Sequence, residues 1–263
     1  MAVLEGKVAI VLGASAPSGT GWAIAKRFAK EGARLVVGAR RSEPLAELAK
    51  ATGGIAQACD VADEEQVRAF VARAIDSYGQ LDIAVNAAAL PMGGTIANAP
   101  VSDARAAMEV NYFGSLYFVR HSAAAMRNGG SIILFSSIAA AKPMEFVYPY
   151  ACAKAAIDCL VRYAAAEYGR KGIKVNSILP GPIRSEMSSG LWSVPGMEET
   201  YARAIPLGRI GEPEDYADAA LWLAGPSFVT GLNLHVSGGN QLTRLPTLDE
   251  RPSLVGPDPT NAA

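Results

Sequence analysis

Several things are scarce in this 263-residue chain, and each scarcity excludes something. Cysteine occurs three times, at Cys59, Cys152 and Cys159. The number is odd and the spacing matches no metal-ligand pattern, so neither a disulfide framework nor a metal site is expected. Cys152 and Cys159 are seven residues apart, hence on one side of a helix, and read as buried apolar packing. Net charge is only −1, so no basic field exists to recruit nucleic acid or an anionic membrane. No apolar run reaches the roughly 18 residues needed to span a bilayer. Glu5 and Lys7 stand where a signal peptide would need its apolar centre. Linkers, repeats and low-complexity blocks are missing before Asn240. These absences together predict a reduced, cytoplasmic, single-domain protein. Half of the residues are apolar and 19% are charged, as in ordinary globular chains.

What is present is a regular alternation. KVAIVLG (Lys7–Gly13) and ARLVVGA (Ala33–Ala39) are short β-branched runs of the kind buried on both faces of a parallel sheet. GIAQACD, LDIAVN, SIILFSS, IKVNSI and LNLHV continue the series. Helical patterns lie between them, the first stopped by Gly32 and another opened by Asp63 with Gln66 in a capping box and closed by Gly79. A long helix is expected from about Ser102 to Met126, and a later one starts at Pro213 and closes at Gly225. Strands alternating with helices imply a doubly wound α/β sheet with helices on both faces.

Chemistry concentrates in the stretch SSIAAAKPMEFVYPYACAK, Ser136 to Lys154. Pro149 is expected at the first position of a helix, which puts Tyr150 and Lys154 on one face, one turn apart. A phenol with a reference pKa of roughly 10 is a poor base at neutral pH, and a neighbouring ammonium lowers that value. Ser137 can hold a carbonyl or alcohol oxygen beside the phenol. The trio suits moving a proton on and off a C–O group. Earlier in the chain, Gly13, Gly19 and Gly21 lie between a buried strand and a helix start. There, glycines let backbone approach a pyrophosphate at the helix N-terminus. Strand two ends VVGARR with no carboxylate until Glu43. Arg40 and Arg41 can bind a 2′-phosphate that a carboxylate would repel, and Ser15 can add a hydroxyl, so NADP(H) is expected over NAD(H).

The first strand, the glycine turn, VNAAA, the serine–tyrosine–lysine stretch, PGPIRSEM, IPLGRIGEPED and VTGLNLHVSGG together resemble the short-chain dehydrogenase/reductase family, over roughly Gly6 to Gly239. The resemblance implies a Rossmann-type fold, a seven-stranded sheet in the order 3-2-1-4-5-6-7. It also implies reversible hydride transfer between a nicotinamide and a carbonyl or alcohol carbon. On this sequence it makes Tyr150 the general acid/base, with Lys154 lowering its pKa and holding the nicotinamide ribose. Ser137 positions the substrate oxygen, and Asn111 supports a proton-relay water. An asparagine inside an apolar helical stretch suggests a special role independently. The implied cofactor set is Gly13, Ser15, Ser18, Gly19, Gly21, Arg40, Arg41, Asp60, Val61, Asn86, Tyr150, Lys154, Pro180, Gly181, Ile183 and Ser185. The chain departs from the family pattern in three places: two extra residues between Gly13 and Gly19, Ala87 to Ala89 after Asn86, and Ser185 for a threonine. Enoyl reductases of the same superfamily are an alternative chemistry, but their tyrosine position, seven before the lysine, holds Val147. A nicotinamide-binding regulator without turnover is the other alternative.

The loops beyond the strands' carboxyl ends form the substrate side. Met92, Met144, Tyr148, Met187 and Trp192 are the candidate substrate contacts, with Phe146, Leu191 and Met197 as further apolar neighbours. Lys142 and Glu145 are expected to face water. The substrate is thus expected to be a ketone or secondary alcohol with an apolar, even cyclic, body. The domain is expected over residues 1–239, with substrate loops at about 186–204. An extended tail, 240–263, carries four prolines and the apolar Leu242, Leu245, Leu248 and Leu254. Alanine-rich helices and the family resemblance together imply a homotetramer.

Overall fold

A computed structural model describes residues 2–252. Its centre is a seven-stranded, all-parallel sheet in the order β3-β2-β1-β4-β5-β6-β7. The strands are β1 (Val8–Leu12), β2 (Arg34–Ala39), β3 (Ile55–Ala58), β4 (Ile83–Asn86), β5 (Gly130–Phe135), β6 (Ile173–Pro180) and β7 (Asn233–Val236). Burial on both faces explains why the strand runs lack alternation. Val8, Ile10 and Leu12 of β1 pack on one side, Ala9 and Val11 on the other, and all five are buried.

One face is covered by α1 (Thr20–Lys30), α2 (Ser42–Thr52) and α9 (Pro213–Ala224), through Ile24, Phe28, Leu45, Leu48, Tyr216 and Leu223. The other is covered by α3 (Glu64–Tyr78), α5 (Gly114–Ala125) and α6 (Tyr148–Tyr168), through Phe70, Phe118, Ile157 and Val161. Burying each such side chain contributes about 1.5–3 kcal/mol, which anchors the helices to the sheet. α7 (Ser189–Trp192) and α8 (Met197–Arg203) form a lid with its own small core of Met197, Tyr201, Ile205 and Ile210.

Three local expectations change. The long helix expected from Ser102 is α4 (Val101–Ala107), a π-helical segment (Met108–Phe113) and α5. Two side chains widen it: Asn111 Nδ2 donates to Ala107 O at 2.9 Å and Ser115 Oγ donates to Asn111 O at 2.7 Å, both four residues back. Cys152 and Cys159 do share one side of α6, but it is the outward side and both are exposed; only Cys59 is buried. At α3, Asp63 caps Glu65 N and Gln66 N as expected, while Gln66 Oε1 reaches back to Asp60 N (3.0 Å) instead of to the cap's own amide.

The tail residues 240–252 are not extended throughout, having 3₁₀ turns at Asn240–Leu242 and Leu248–Glu250. Leu245 is buried in the lid core, whereas Leu242 is exposed; Leu254 lies outside the described residues, as does the side chain of Leu248. Lys142, expected to face water, donates to Asn240 O at 3.1 Å and ties the loop after β5 to this tail. Among the described residues no helix is long and apolar enough to cross a membrane, and no group of His, Cys, Asp and Glu is arranged to hold a metal ion.

Candidate active site

The carboxyl end of β5 hands three consecutive groups to α6. Phe135 O accepts from Lys154 Nζ at 2.7 Å, Ser136 Oγ donates to Lys154 O at 3.1 Å, and Ser137 is hydrogen-bonded to the Tyr150 phenol. Ser137 is extended, caps the following 3₁₀ turn by accepting from Ala139 N (3.1 Å), and so presents its hydroxyl toward the helix start. Pro149, within the first turn of α6, sets the approach of Tyr150. Lys154 Nζ lies 5.3 Å from the Tyr150 ring centroid. The structure therefore brings Ser137, Tyr150 and Lys154 together.

Their protonation departs from the sequence argument, which expects Lys154 to draw the phenol down. Burial pushes Tyr150 up to about 12, against its hydrogen bond with Ser137. Burial also brings Lys154 down to about 7, against the attraction of Asp158. Desolvation of an almost fully buried lysine weakens the very charge that would act on the phenol.

Asn111 is fully buried, and its position in the π-helical segment marks it as special. Its amide clamps the loop after β4: Oδ1 accepts from Leu90 N (3.2 Å) and Nδ2 donates to Leu90 O (3.0 Å). Asn86, ending β4, donates to Ser115 Oγ at 3.3 Å and accepts from Ala88 N at 3.1 Å, so Asn86, Ser115 and Asn111 form one network. Sequence reasoning missed Ser115, although a serine four residues after a suspect asparagine is a readable signal.

The sheet order reverses between β1 and β4, and a cleft of about 350 Å³ opens there. Gly13, Ser15, Arg40, Arg41, Asp60 and Val61 line it, with Ala87 to Ala89. Gly13 has φ +86°, and a Cβ on it would lie 2.4 Å from Ala88 N. A Cβ on Gly21 would lie 2.4 Å from Gly13 O, so the helix start presses directly on the glycine turn. The N-cap of α1, Gly19, carries no side-chain bond, leaving first-turn N–H groups for an anion. These features fit a dinucleotide. Asp60 is held by its own turn, Oδ1 accepting from Ala62 N at 3.0 Å. Ser18 stands apart from this cleft, lining a groove of about 790 Å³ between α1, α9 and the lid.

Arg41 is already engaged. Its guanidinium donates to Ser15 Oγ (3.2 Å), Ser15 O (3.0 Å) and Glu186 Oε1 (2.7 Å), while Arg40 is exposed. Glu186 opens the 3₁₀ turn Glu186–Ser188 that leads into the lid, and sequence reasoning missed it because it lies 145 residues from Arg41.

On the substrate side, Pro180 ends β6, Gly181 N donates to Val236 O, and Ser185 caps the lid's first turn with Ser188 in a reciprocal capping box. Ile183 O accepts from Trp192 Nε1 at 2.7 Å. Trp192 also stacks edge-on against Tyr201, with ring centroids 5.5 Å apart. Trp192, Leu191 and Met144 pack on the lid core, and Met197 is inside it. Met187 is exposed at the edge of the cofactor cleft. Met92 and Tyr148 are half-buried in the loop after β4 and at the first position of α6. Phe146 has φ +68° with its ring exposed, and its carbonyl accepts from Gly94 N at 2.7 Å. Such a conformation is costly for a bulky residue and concentrates at functional sites.

The chain is similar over most of its length to known dehydrogenases. The matching family model, described as "Enoyl-(Acyl carrier protein) reductase", covers residues 13–241. A 2,5-dichloro-2,5-cyclohexadiene-1,4-diol dehydrogenase of Sphingobium indicum is 36% identical over 91% of this chain and 98% of its own length. The 7alpha-hydroxysteroid dehydrogenase of Escherichia coli is 38% identical over 90% and 94%. Among solved structures, the Pseudomonas aeruginosa RhlG/NADP active-site complex superposes with a TM-score of 0.85 at 30% identity, covering 90% of this chain and 97% of that one. With that family model over most of its length, relatives at 36–38% identity and a parallel sheet in the order β3-β2-β1-β4-β5-β6-β7, the chain belongs to the short-chain dehydrogenase/reductase family.

Proposed function

We propose that the protein interconverts a ketone and its secondary alcohol with NADP(H), Tyr150 exchanging the proton at the substrate oxygen. That it is an oxidoreductase of CH–OH and C=O groups follows from its family and its dehydrogenase relatives. The observation that carries the residue-level reading is the contact of Ser137, Tyr150 and Lys154 at the end of β5. Bound in the cleft lined by Gly13, Arg40 and Arg41, a nicotinamide dinucleotide would supply the hydride-transfer chemistry. Ser137 holds the substrate oxygen beside the phenol. With burial keeping the phenol near 12, Tyr150 stands protonated at neutral pH, which suits donation to the oxygen of a ketone under reduction. Lys154 adds positive charge behind it, and Asn111 holds the loop after β4 in place.

NADP(H) is supported by Arg40 and Arg41 at the end of β2, by Ser15, whose hydroxyl accepts from Arg41 and keeps its own proton to donate, and by the NADP complex among the structural relatives. The names of the two relatives describe ring-bearing alcohols, which supports a cyclic apolar substrate, with Phe146 and Met187 exposed where it would enter. The family description favours a second reading, reduction of an enoyl thioester. Against it, Val147 holds the position seven before Lys154, and Tyr150 stands one turn from the lysine. We further place the protein in the cytoplasm, on its unpaired cysteines, and read it as a homotetramer. The exposed Phe113, Tyr163, Cys152 and Cys159 on the π segment and α6 support a helix-to-helix contact.

The test is a panel of cyclic ketones, alcohols and an enoyl thioester assayed with both nicotinamides, in wild type and in Arg40→Ala/Arg41→Ala. Ketone reduction with NADPH preferred, and a preference lost in the double variant, is expected. Turnover of the enoyl thioester alone, a wild type preferring NADH, or an unchanged preference in the double variant would contradict the reading. Light scattering showing a stable monomer at micromolar concentration would contradict the tetramer.

A further inference from the structure

Behind Lys154 lies a polar group that the reaction above does not use. α6 carries Tyr150, Lys154, Asp158 and Arg162 at four-residue intervals, a single stripe along the helix. Ser136 stands between two of them: its one hydroxyl proton is directed at Lys154 O, 3.1 Å away, with the Asp158 carboxylate the alternative acceptor. Asp158 Oδ1 is buried without a hydrogen-bond partner, and so is Nδ1 of His235 on β7. Buried polar atoms of this kind are rarely left unmatched, so a pair of them on neighbouring elements calls for a reason.

The two orphans lie on facing elements. Asn233 Nδ2 donates to Asp158 O at 3.4 Å, which sets β7 against α6 at this level. Residues 233 and 235 point to the same face of the strand, so His235 is also directed at α6. A crossover helix runs antiparallel to its strands. Moving from Asn233 to His235 therefore moves from the level of Asp158 toward that of Lys154. Burial raises the Asp158 carboxyl above the usual carboxylate range, against the Ser136 hydroxyl, Arg162 on α6, His235 on β7 and Lys154 on α6, all of which favour the ionised form.

We propose that Asp158, backed by His235, is a positioning residue that keeps Lys154 charged in its buried site. The inference rests on the reading of Lys154 as part of the catalytic cluster. A carboxylate one turn away stabilises the ammonium that burial disfavours, and His235 is among the groups that favour that carboxylate. Removing either group lets Lys154 lose its proton at lower pH. The alkaline limb of ketone reduction then moves the same way.

The experiment follows the Lys154 side-chain nitrogen by NMR of lysine-labelled protein, assigned with Lys154→Met, beside the pH profile of kcat and the melting temperature. Wild type, Asp158→Asn, Asp158→Glu and His235→Gln are compared. We expect the Lys154 titration to fall by about one pH unit, a tenfold change in proton affinity, in Asp158→Asn, less in His235→Gln, and to recover in Asp158→Glu. An unmoved Lys154 titration in Asp158→Asn overturns the proposal, whatever the melting temperature does. If Asp158→Asn does not fold, an unmoved titration in His235→Gln overturns it instead. A shifted titration with an unmoved rate profile supports the pairing and refutes the catalytic reading of Lys154, so the two failures are distinct.

Discussion

Replacing Glu186 with glutamine separates two demands made on one guanidinium. Arg41 bonds Glu186 at 2.7 Å, with both side chains about half exposed, and under the proposed NADP(H) reading the same guanidinium would hold the 2′-phosphate. An exposed pair of this kind contributes about 0.2–1 kcal/mol. A phosphate seated on the same arginine would stand about 5 Å from the carboxylate, where like charges repel by roughly 0.8 kcal/mol per unit charge even in bulk water. Glu186→Gln therefore favours a 2′-phosphate by about 1–2 kcal/mol, a five- to thirty-fold gain. Calorimetric titration with 2′,5′-ADP and with 5′-AMP, at low and at high salt, reads this directly. Only the 2′-phosphorylated ligand should gain, and the gain should shrink with salt. Equal gains for both ligands, or none for 2′,5′-ADP, would refute the account of Arg41.

Two further outcomes follow from packing. Gly13→Ala forces a side chain at φ +86° to within 2.4 Å of backbone. Differential scanning calorimetry should show a lower melting temperature, equivalent to about 1–3 kcal/mol, with weakened nucleotide binding. Truncation after Gly239 removes Leu245 from the lid core and the Asn240 carbonyl from Lys142. It should raise KM for the carbonyl substrate more than KM for the nicotinamide, and an unchanged KM together with unchanged assembly would contradict a role for the tail.

Much of this architecture is legible in the residues. Strands buried on both faces must be apolar throughout, so the run Val8–Leu12 and its counterparts announce themselves, and all seven strands fall where expected to within a residue or two. Helix geometry puts Tyr150 and Lys154 on one face of α6, and only the family resemblance, not that spacing, singles them out together with Ser137. What escapes is whatever depends on contacts distant in sequence. Asn111 looks anomalous, but the π segment it creates depends on its bonds to Leu90 and Ala107. A seven-residue spacing places Cys152 and Cys159 on one side of α6 without saying which side. Trp192 and Met144 read as substrate contacts, and that both also pack on the lid core is visible only in the fold. Arg41 meets Glu186, and Asp158 meets His235, only through the fold. The sign of the Tyr150 shift escapes for the same reason, since the depth of burial of Lys154 is a tertiary property.

The most direct test is Tyr150→Phe, which removes one oxygen and leaves the ring packed. General acid/base catalysis typically contributes about 10²–10⁴-fold. The variant is expected to lose at least a hundredfold in kcat for ketone reduction, while NADPH binding followed by fluorescence and the melting temperature stay close to wild type. A variant that keeps more than about a tenth of wild-type kcat, below the least that acid/base catalysis contributes, would show that another group moves the proton.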